Sequence, residues 1–315
     1  MVIPVFKNKG SPLNAENYRP ISLLSNIDKL YQKLMQIRLV NFLEQSEVIY
    51  SLQFGFRSNH STTTALINCS EQIRQALDSG NFACSIFIDL QKAFDTVDLD
   101  ILFTKLSHYG IRGIALTWFK SFLSNRSQFV SVSGAKSTSK PILYGVPQGS
   151  VLGPLLFLVY INDLQNAIPY SVTNLFADDT MLFLKNKSVK FLSKKMNIDL
   201  KCLLSWLNSN KIALNSKKTE LLIFHTRRKH NESELKIKLN GHRLYPSDSV
   251  KYLGVFIDSK LSWNPHRTHV CKKLATANGA LSKLRHFVDR DILTSLYYAS
   301  FHSRQGMREV ADLFL

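Results

Sequence analysis

The sequence predicts an α+β fold, and three observations carry that prediction. Apolar residues recur at helical spacing over several stretches. Short apolar or alternating runs, bounded by Gly, Pro and Asn, read as strands. The two kinds then follow one another without the regular strand–helix–strand rhythm of a parallel α/β sheet. A chain of 315 residues with 45% hydrophobic content is long enough for one large domain, or two to three subdomains, with a real core.

Residues 2–20 read as loop, because Lys7, Lys9, Gly10, Pro12 and Pro20 interrupt any period. From 27 to 43, Ile27, Leu30, Leu34 and Ile37 mark a helix, and 62–77 marks another that Gly80 ends. Residues 83–88 form a short apolar run, expected to be a buried strand closed by Asp89. Helical patterns follow over 99–108 and 114–123, and the alternating run 128–133 is expected to pair with 141–144 around Gly134. The breaker-rich loop Gly145-Val146-Pro147-Gln148-Gly149-Ser150 leads into an apolar helix over 151–164. Apolar runs at 172–176 and 181–184 flank a tight turn. A helix over 189–208, a strand over 220–225, a hairpin at Asn240-Gly241 and a strand over 250–257 follow. Two basic helices fill 265–301.

The tight turn is the most informative stretch, because it reads Phe176-Ala177-Asp178-Asp179. Hairpin turns favour Asn, Gly or a single Asp, which tolerate positive φ or bond their own backbone. Two adjacent acids crowd like charge with no Lys or Arg in the turn, so a partner from outside is expected. A divalent cation such as Mg²⁺ suits that donor set. An ordinary solvated turn is the plain alternative.

Charge is uneven along the chain. The net charge is +17; residues 1–180 hold 15 Lys and Arg against 13 Asp and Glu, and residues 181–315 hold 25 against 10. A basic second half attracts a polyanion, with nucleic acid the natural partner, although a merely soluble basic protein has the same balance. The apolar runs are too short and too often broken by charge to cross a bilayer. Met1-Val2-Ile3-Pro4 does not open a secretory signal. Four scattered cysteines, Cys69, Cys84, Cys202 and Cys271, suggest neither zinc site nor disulfide framework. An intracellular protein, cytoplasmic or nuclear and not secreted, is the expectation.

Asp89 ends a buried strand, where an acid is excluded unless paired or liganded. A helix cap or turn residue is its ordinary alternative. If its strand lies beside the Asp178-Asp179 hairpin, three carboxylates converge and can hold two metal ions that support in-line phosphoryl transfer.

Several motifs stand in register along the chain. They are Asn17-Tyr18-Arg19-Pro20-Ile21-Ser22, Gln53-Phe54-Gly55-Phe56-Arg57, and Phe87-Ile88-Asp89-Leu90-Gln91-Lys92-Ala93-Phe94-Asp95-Thr96-Val97. The loop from Gly145 to Pro154, Phe176-Ala177-Asp178-Asp179, Leu214-Asn215-Ser216-Lys217-Lys218-Thr219-Glu220 and Tyr252-Leu253-Gly254-Val255 complete them. Each is weak alone, but seven in order are specific. Together they resemble the reverse transcriptases of non-LTR (LINE-type, jockey-like) retrotransposons, over about residues 1–260.

That resemblance implies a right-hand polymerase, with an antiparallel palm sheet backed by helices. It assigns fingers mainly to 1–82 and 110–144, palm to 83–109 and 145–258, and a partial basic helical thumb to 259–315. It implies RNA-directed DNA polymerase activity, with an RNA template, a DNA primer, deoxynucleoside triphosphates and two Mg²⁺ ions, Mn²⁺ being a substitute. Asp89, Asp178 and Asp179 match the family's metal-binding triad, with the backbone carbonyl of Leu90 as an extra ligand. Phe94 matches the aromatic gate that leaves no room for a 2′-hydroxyl; an ordinary core ring is the alternative. Gln148 and Gly149 match the loop that touches the incoming nucleotide and template, glycine allowing close backbone approach. Lys218 matches a lysine that protonates the leaving pyrophosphate, and Arg57 is a candidate triphosphate contact. Asp95 and Asp98 are expected to cap the following helix instead of binding metal.

The chain departs from the pattern at both ends. No endonuclease precedes Val2, and residues 304–315 lack the family's aromatic continuation, so a truncated or frameshifted copy is expected. Two alternatives follow: a catalytically silent remnant that binds nucleic acid, and an RNA-templated RNA polymerase.

Overall fold

The computed structural model of the protein describes residues 1–225 and 235–302. The expectation about residues 304–315 therefore lies outside the described residues. At the front, β1 (Val2–Phe6) and β2 (Tyr18–Ser22) form an antiparallel ribbon in place of the expected loop. Its two prolines stand opposite each other, Pro4 against Pro20, in a two-stranded ribbon that has no central strand to disrupt.

α1 (Asn26–Gln45) starts where Ser25 Oγ accepts from the Asp28 N–H at 3.1 Å. The stripe that marked this helix, Ile27, Leu30, Leu34 and Ile37, is exposed, and its buried residues are Gln32, Leu39 and Leu43. α2 (Thr62–Asp78) opens on a reciprocal capping box between Ser61 and Thr64. β3 (Phe82–Ile88), β4 (Leu90–Gln91), α3 (Leu99–His108) and α4 (Gly113–Leu123) follow. The hairpin expected around Gly134 is present, interrupted into two nested ladders. β5 (Arg126–Gln128) pairs with β8 (Lys140–Ile142), and β6 (Ser131–Val132) with β7 (Ala135–Lys136).

α5 (Gly153–Ile161) is buried along almost its whole length. β9 (Val172–Phe176), β10 (Asp179–Asn186), α6 (Val189–Ser209), β11 (Ala213–Leu214) and β12 (Glu220–Phe224) come next. β13 (Lys238–Leu239) and β14 (His242–Arg243) turn at Asn240-Gly241, both left-handed. The strand expected over 250–257 is a second hairpin, β15 (Ser249–Tyr252) and β16 (Val255–Asp258). Leu253 and Gly254 take φ of 47° and 89° at its turn. α7 (Asn264–Leu284) and α8 (Arg290–Tyr297) close the described chain and bury little: His266 in α7 and no residue of α8.

The central sheet has the order β12-β3-β10-β9, every neighbour antiparallel. Cys84, Ile86, Ile88, Leu182, Leu184, Leu221 and Ile223 belong to the larger core, together with α3, α5 and α6. Ala83, Phe87, Met181, Phe183, Leu222 and Phe224 pack with α2, β15 and β16. Alternate residues of β3 thus enter two different cores, so the strand reads as a continuous apolar run. Each Leu, Ile or Phe so buried contributes about 1.5–3 kcal/mol. Among the described residues no helix is long and apolar enough to cross a membrane. All four cysteines are free.

Candidate active site

The register of the sheet builds the site. β3 and β10 run antiparallel with Ile88 opposite Thr180, and one further step along that register sets Asp89 opposite Asp179. Asp178 is the second residue of the two-residue turn Ala177-Asp178, and Asp179 opens β10 opposite Phe176. Three carboxylates from two distant segments therefore lie at one end of one sheet. The adjacency that the sequence left conditional is present.

Their electrostatics reflect the crowding. Burial pushes the Asp179 carboxyl up to about 6, aided by the charges of Asp178 and Asp89. Asp178 is also raised, by burial first; its own backbone N–H opposes this, the charge of Asp89 adds to it, and the Arg19 guanidinium pulls back. Carboxylates that resist ionising beside one another gain from a cation between them.

Asp89 is held by other groups. Its Oδ2 accepts from Asn215 Nδ2 at 2.7 Å and from Lys218 Nζ at 3.2 Å, and its backbone oxygen accepts from the Asn215 N–H at 2.9 Å. Among the described residues no group of three His, Cys, Asp or Glu side chains is arranged so as to hold a metal ion. The donor set still fits a hard divalent ion: carboxylate oxygens that repel one another, with Lys218 largely exposed and so weakly paired. Leu90, at the start of β4, has its side chain buried and its backbone paired with Leu214.

Phe94 and the loop 145–150 pack together. Phe94 packs against Phe157 with the rings tilted by 30° and their centroids 4.7 Å apart, and Phe56 lies edge-on to Phe94 at 6.4 Å. Phe94 O accepts from the Val146 N–H at 2.8 Å, which ties the segment after β4 to the loop 145–150. Gln148 Nε2 donates to Asp95 Oδ1 at 2.8 Å, and Gln148 O accepts from the Ser22 N–H at 2.8 Å. Gly149 has φ of 98°, and a Cβ there would sit 3.0 Å from Ser22 O. Loop 145–150 thus packs against β2 and the turn after β4.

Two expectations change. The Arg57 guanidinium is engaged elsewhere: it holds Glu44 at 2.7 and 2.9 Å and reaches the carbonyls of Tyr50 and Gln53 at 3.3 Å. An arginine engaged on four acceptors is a structural clasp, and it lowers the Glu44 pKa, chiefly through the hydrogen bond. Asp98 caps α3 as expected, accepting from the Asp100 and Ile101 N–H groups and pairing with Lys211 at 2.6 Å. Asp95 does not cap; it receives Gln148, and burial raises its pKa.

Sequence reasoning passed over two residues. Asn215, inside a quoted motif, orients Asp89 through side chain and backbone together. Arg19, in the first motif, is the exposed cation felt by Asp178. Its place in the first of the ordered motifs was the available signal.

The Reverse transcriptase (RNA-dependent DNA polymerase) family profile matches residues 6–257. The chain belongs to the reverse transcriptase family. It is 31% identical over 290 residues to the RNA-directed DNA polymerase from mobile element jockey of Drosophila melanogaster, covering 90% of this chain and 31% of that protein. It is 33% identical over 264 residues to the probable RNA-directed DNA polymerase from transposon BS of the same species, covering 80% of this chain and 28% of that protein. This reverse transcriptase chain thus spans about three tenths of the length of both relatives. Among solved structures, an apo telomerase from Candida tropicalis truncated from its C-terminal domain aligns with 78% of this chain and 52% of its own. The identity is 13% and the TM-score 0.47.

Proposed function

We propose that this chain is the polymerase part of a non-LTR retrotransposon protein and adds deoxynucleotides to a primer 3′-end on an RNA template. The observation that carries this reading is the register of β3 and β10, which sets Asp89 beside Asp178-Asp179 in a chain of this family. Asp89, Asp178 and Asp179, with the carbonyl of Leu90, would hold two Mg²⁺ ions, or Mn²⁺ in their place. Bound there, such ions supply Lewis-acid stabilisation at the attacking 3′-oxygen and the leaving pyrophosphate.

The chain's own residues do the rest. Asn215 keeps Asp89 turned toward the sheet end. The primer 3′-hydroxyl gives its proton to water as its oxygen bonds to the α-phosphorus, and Lys218, already at Asp89, hands a proton to the pyrophosphate as the bond from that phosphorus to the bridging oxygen breaks. Arg19 is the cation suited to the triphosphate, in place of Arg57. The Phe94 ring, backed by Phe157, lies under the deoxyribose and leaves no space for a 2′-hydroxyl. Gln148 and Gly149 line the nucleotide and template side. Fingers over 1–82 and 110–144, a palm over 83–109 and 145–258, and a partial thumb from 259 belong to this reading. The exposed lysines and arginines of α7 grip an RNA–DNA hybrid through its phosphates.

The test is primer extension on poly(rA)/oligo(dT) with dTTP and Mg²⁺. Stepwise extension is expected; well-folded protein that extends nothing overturns the proposal. Extension with UTP as readily as with dTTP favours the RNA polymerase alternative.

A further inference from the structure

The stretch Gln53-Phe54-Gly55-Phe56-Arg57 joins the catalytic turn from outside the sheet. Leu175 N–H donates to Leu52 O at 2.9 Å and Phe54 N–H to Leu175 O at 2.8 Å, so the segment runs parallel beside β9. At the end of that pairing the Gln53 side chain enters the hairpin. Its Oε1 accepts from the Ala177 N–H at 3.0 Å and from the Gly55 N–H at 2.8 Å. Gln53 is 1% exposed.

Two further features converge on the same atoms. Ala177, the residue before Asp178, takes φ of 55°, a left-handed conformation that costs an alanine free energy and persists only when its surroundings impose it. Gly55 lies so close that a Cβ there would be 2.4 Å from Ala177 N. An ordinary buried glutamine satisfies both ends of its amide. Gln53 Nε2 is buried without a hydrogen-bond partner, so the residue is held for its oxygen alone. Beyond Gly55, Phe56 lies edge-on to Phe94, and one short segment thus touches both the metal turn and the sugar gate.

We infer that Gln53 is a positioning residue whose amide oxygen holds Ala177 in its left-handed turn and so fixes Asp178 and Asp179 for metal binding and nucleotide addition. This inference rests on the polymerase reading above. Its mechanism is orientation: a turn free to relax carries both carboxylates off their working positions, and small displacements at a reacting centre are costly.

The test compares wild type, Gln53→Met, Gln53→Glu and Gly55→Ala. It reads Mn²⁺ affinity by paramagnetic resonance, kcat and KM for single-nucleotide addition, and melting temperature. Gln53→Met keeps length and volume but loses the acceptor. It is expected to weaken Mn²⁺ binding about tenfold and lower kcat on the order of tenfold to a hundredfold, with KM for the nucleotide within about twofold. Gln53→Glu restores two accepting oxygens and recovers most of the Mn²⁺ affinity. Gly55→Ala, which displaces the turn without removing the glutamine, repeats the loss and carries the test if Gln53→Met does not fold. Folded Gln53→Met with wild-type Mn²⁺ affinity, or a loss confined to melting temperature, overturns the inference. Wild type that binds Mn²⁺ but extends no primer overturns the polymerase reading alone, and Gln53 is then judged on Mn²⁺ affinity. Wild type that binds no Mn²⁺ overturns both.

Discussion

Replacing Asp179 with Asn removes one carboxylate from a crowded trio, and the crowding sets both sign and size of the effect. The Asp179 pKa is raised from 3.8 to about 6, by burial first and then by Asp178 and Asp89. A folded-state pKa above the unfolded value means that the favourable contribution is fully present below about pH 4 and is lost as pH rises through about 6. Taken whole, that shift is worth about 3 kcal/mol. Asp179 is crowded by surrounding protein yet keeps part of its surface open to water at the sheet end, and screening there reduces the figure to about 1 kcal/mol. In chelator at pH 7.5, Asp179→Asn is therefore expected to be more stable than wild type by about 1 kcal/mol, and the difference vanishes near pH 4. With millimolar Mg²⁺ at pH 7.5 the order reverses, because wild type gains from the ion and the variant gains less. Urea denaturation across this pH range, with and without Mg²⁺, measures all three. A variant no more stable than wild type in chelator at pH 7.5 refutes the crowding and burial that raise the Asp179 pKa.

Other residues give independent checks. Phe94→Ala opens space beneath the sugar and is expected to admit ribonucleotides, read as the ratio of kcat/KM for dTTP and UTP; unchanged selectivity refutes the gate. Arg57→Ala is expected to cost about 1–3 kcal/mol of stability in urea melts while leaving KM for the nucleotide unchanged. Arg19→Ala does the opposite, raising that KM on the order of tenfold with little change in melting. Tyr160→Phe removes a buried hydroxyl that donates to Asn210 O at 2.6 Å and meets the Asp98 N–H at 3.3 Å, so urea melts are expected to show a loss of about 1–3 kcal/mol.

The sheet and most helices were legible because their periods are strong and their residues fill two cores. β3 announced itself by an unbroken apolar run, and Asp89 by ending it. The 250–257 hairpin was hidden because Leu253 adopts a left-handed conformation that leucine does not advertise. The front ribbon was hidden because its two prolines read as breakers until they are seen opposite each other. Within the site, the acids could be named from motifs, but their supports could not. Asn215 meets Asp89 across 126 residues and Gln53 meets Ala177 across 124, separations that no local pattern encodes. The Arg57–Glu44 clasp was not legible because Glu44 sits 13 residues away, near the end of a helix, with nothing in sequence to mark the pairing.

The central claim is that Asp89, Asp178 and Asp179 act as one metal site for RNA-templated DNA synthesis. Single-turnover addition of one deoxynucleotide to a DNA primer on an RNA template tests it most directly, with wild type beside Asp89→Asn, Asp178→Asn and Asp179→Asn in Mg²⁺. Wild type is expected to add the nucleotide, and each variant to lose at least about a thousandfold in rate while remaining folded. Folded wild type that adds nothing, or any one of the three variants adding at the wild-type rate, contradicts the account.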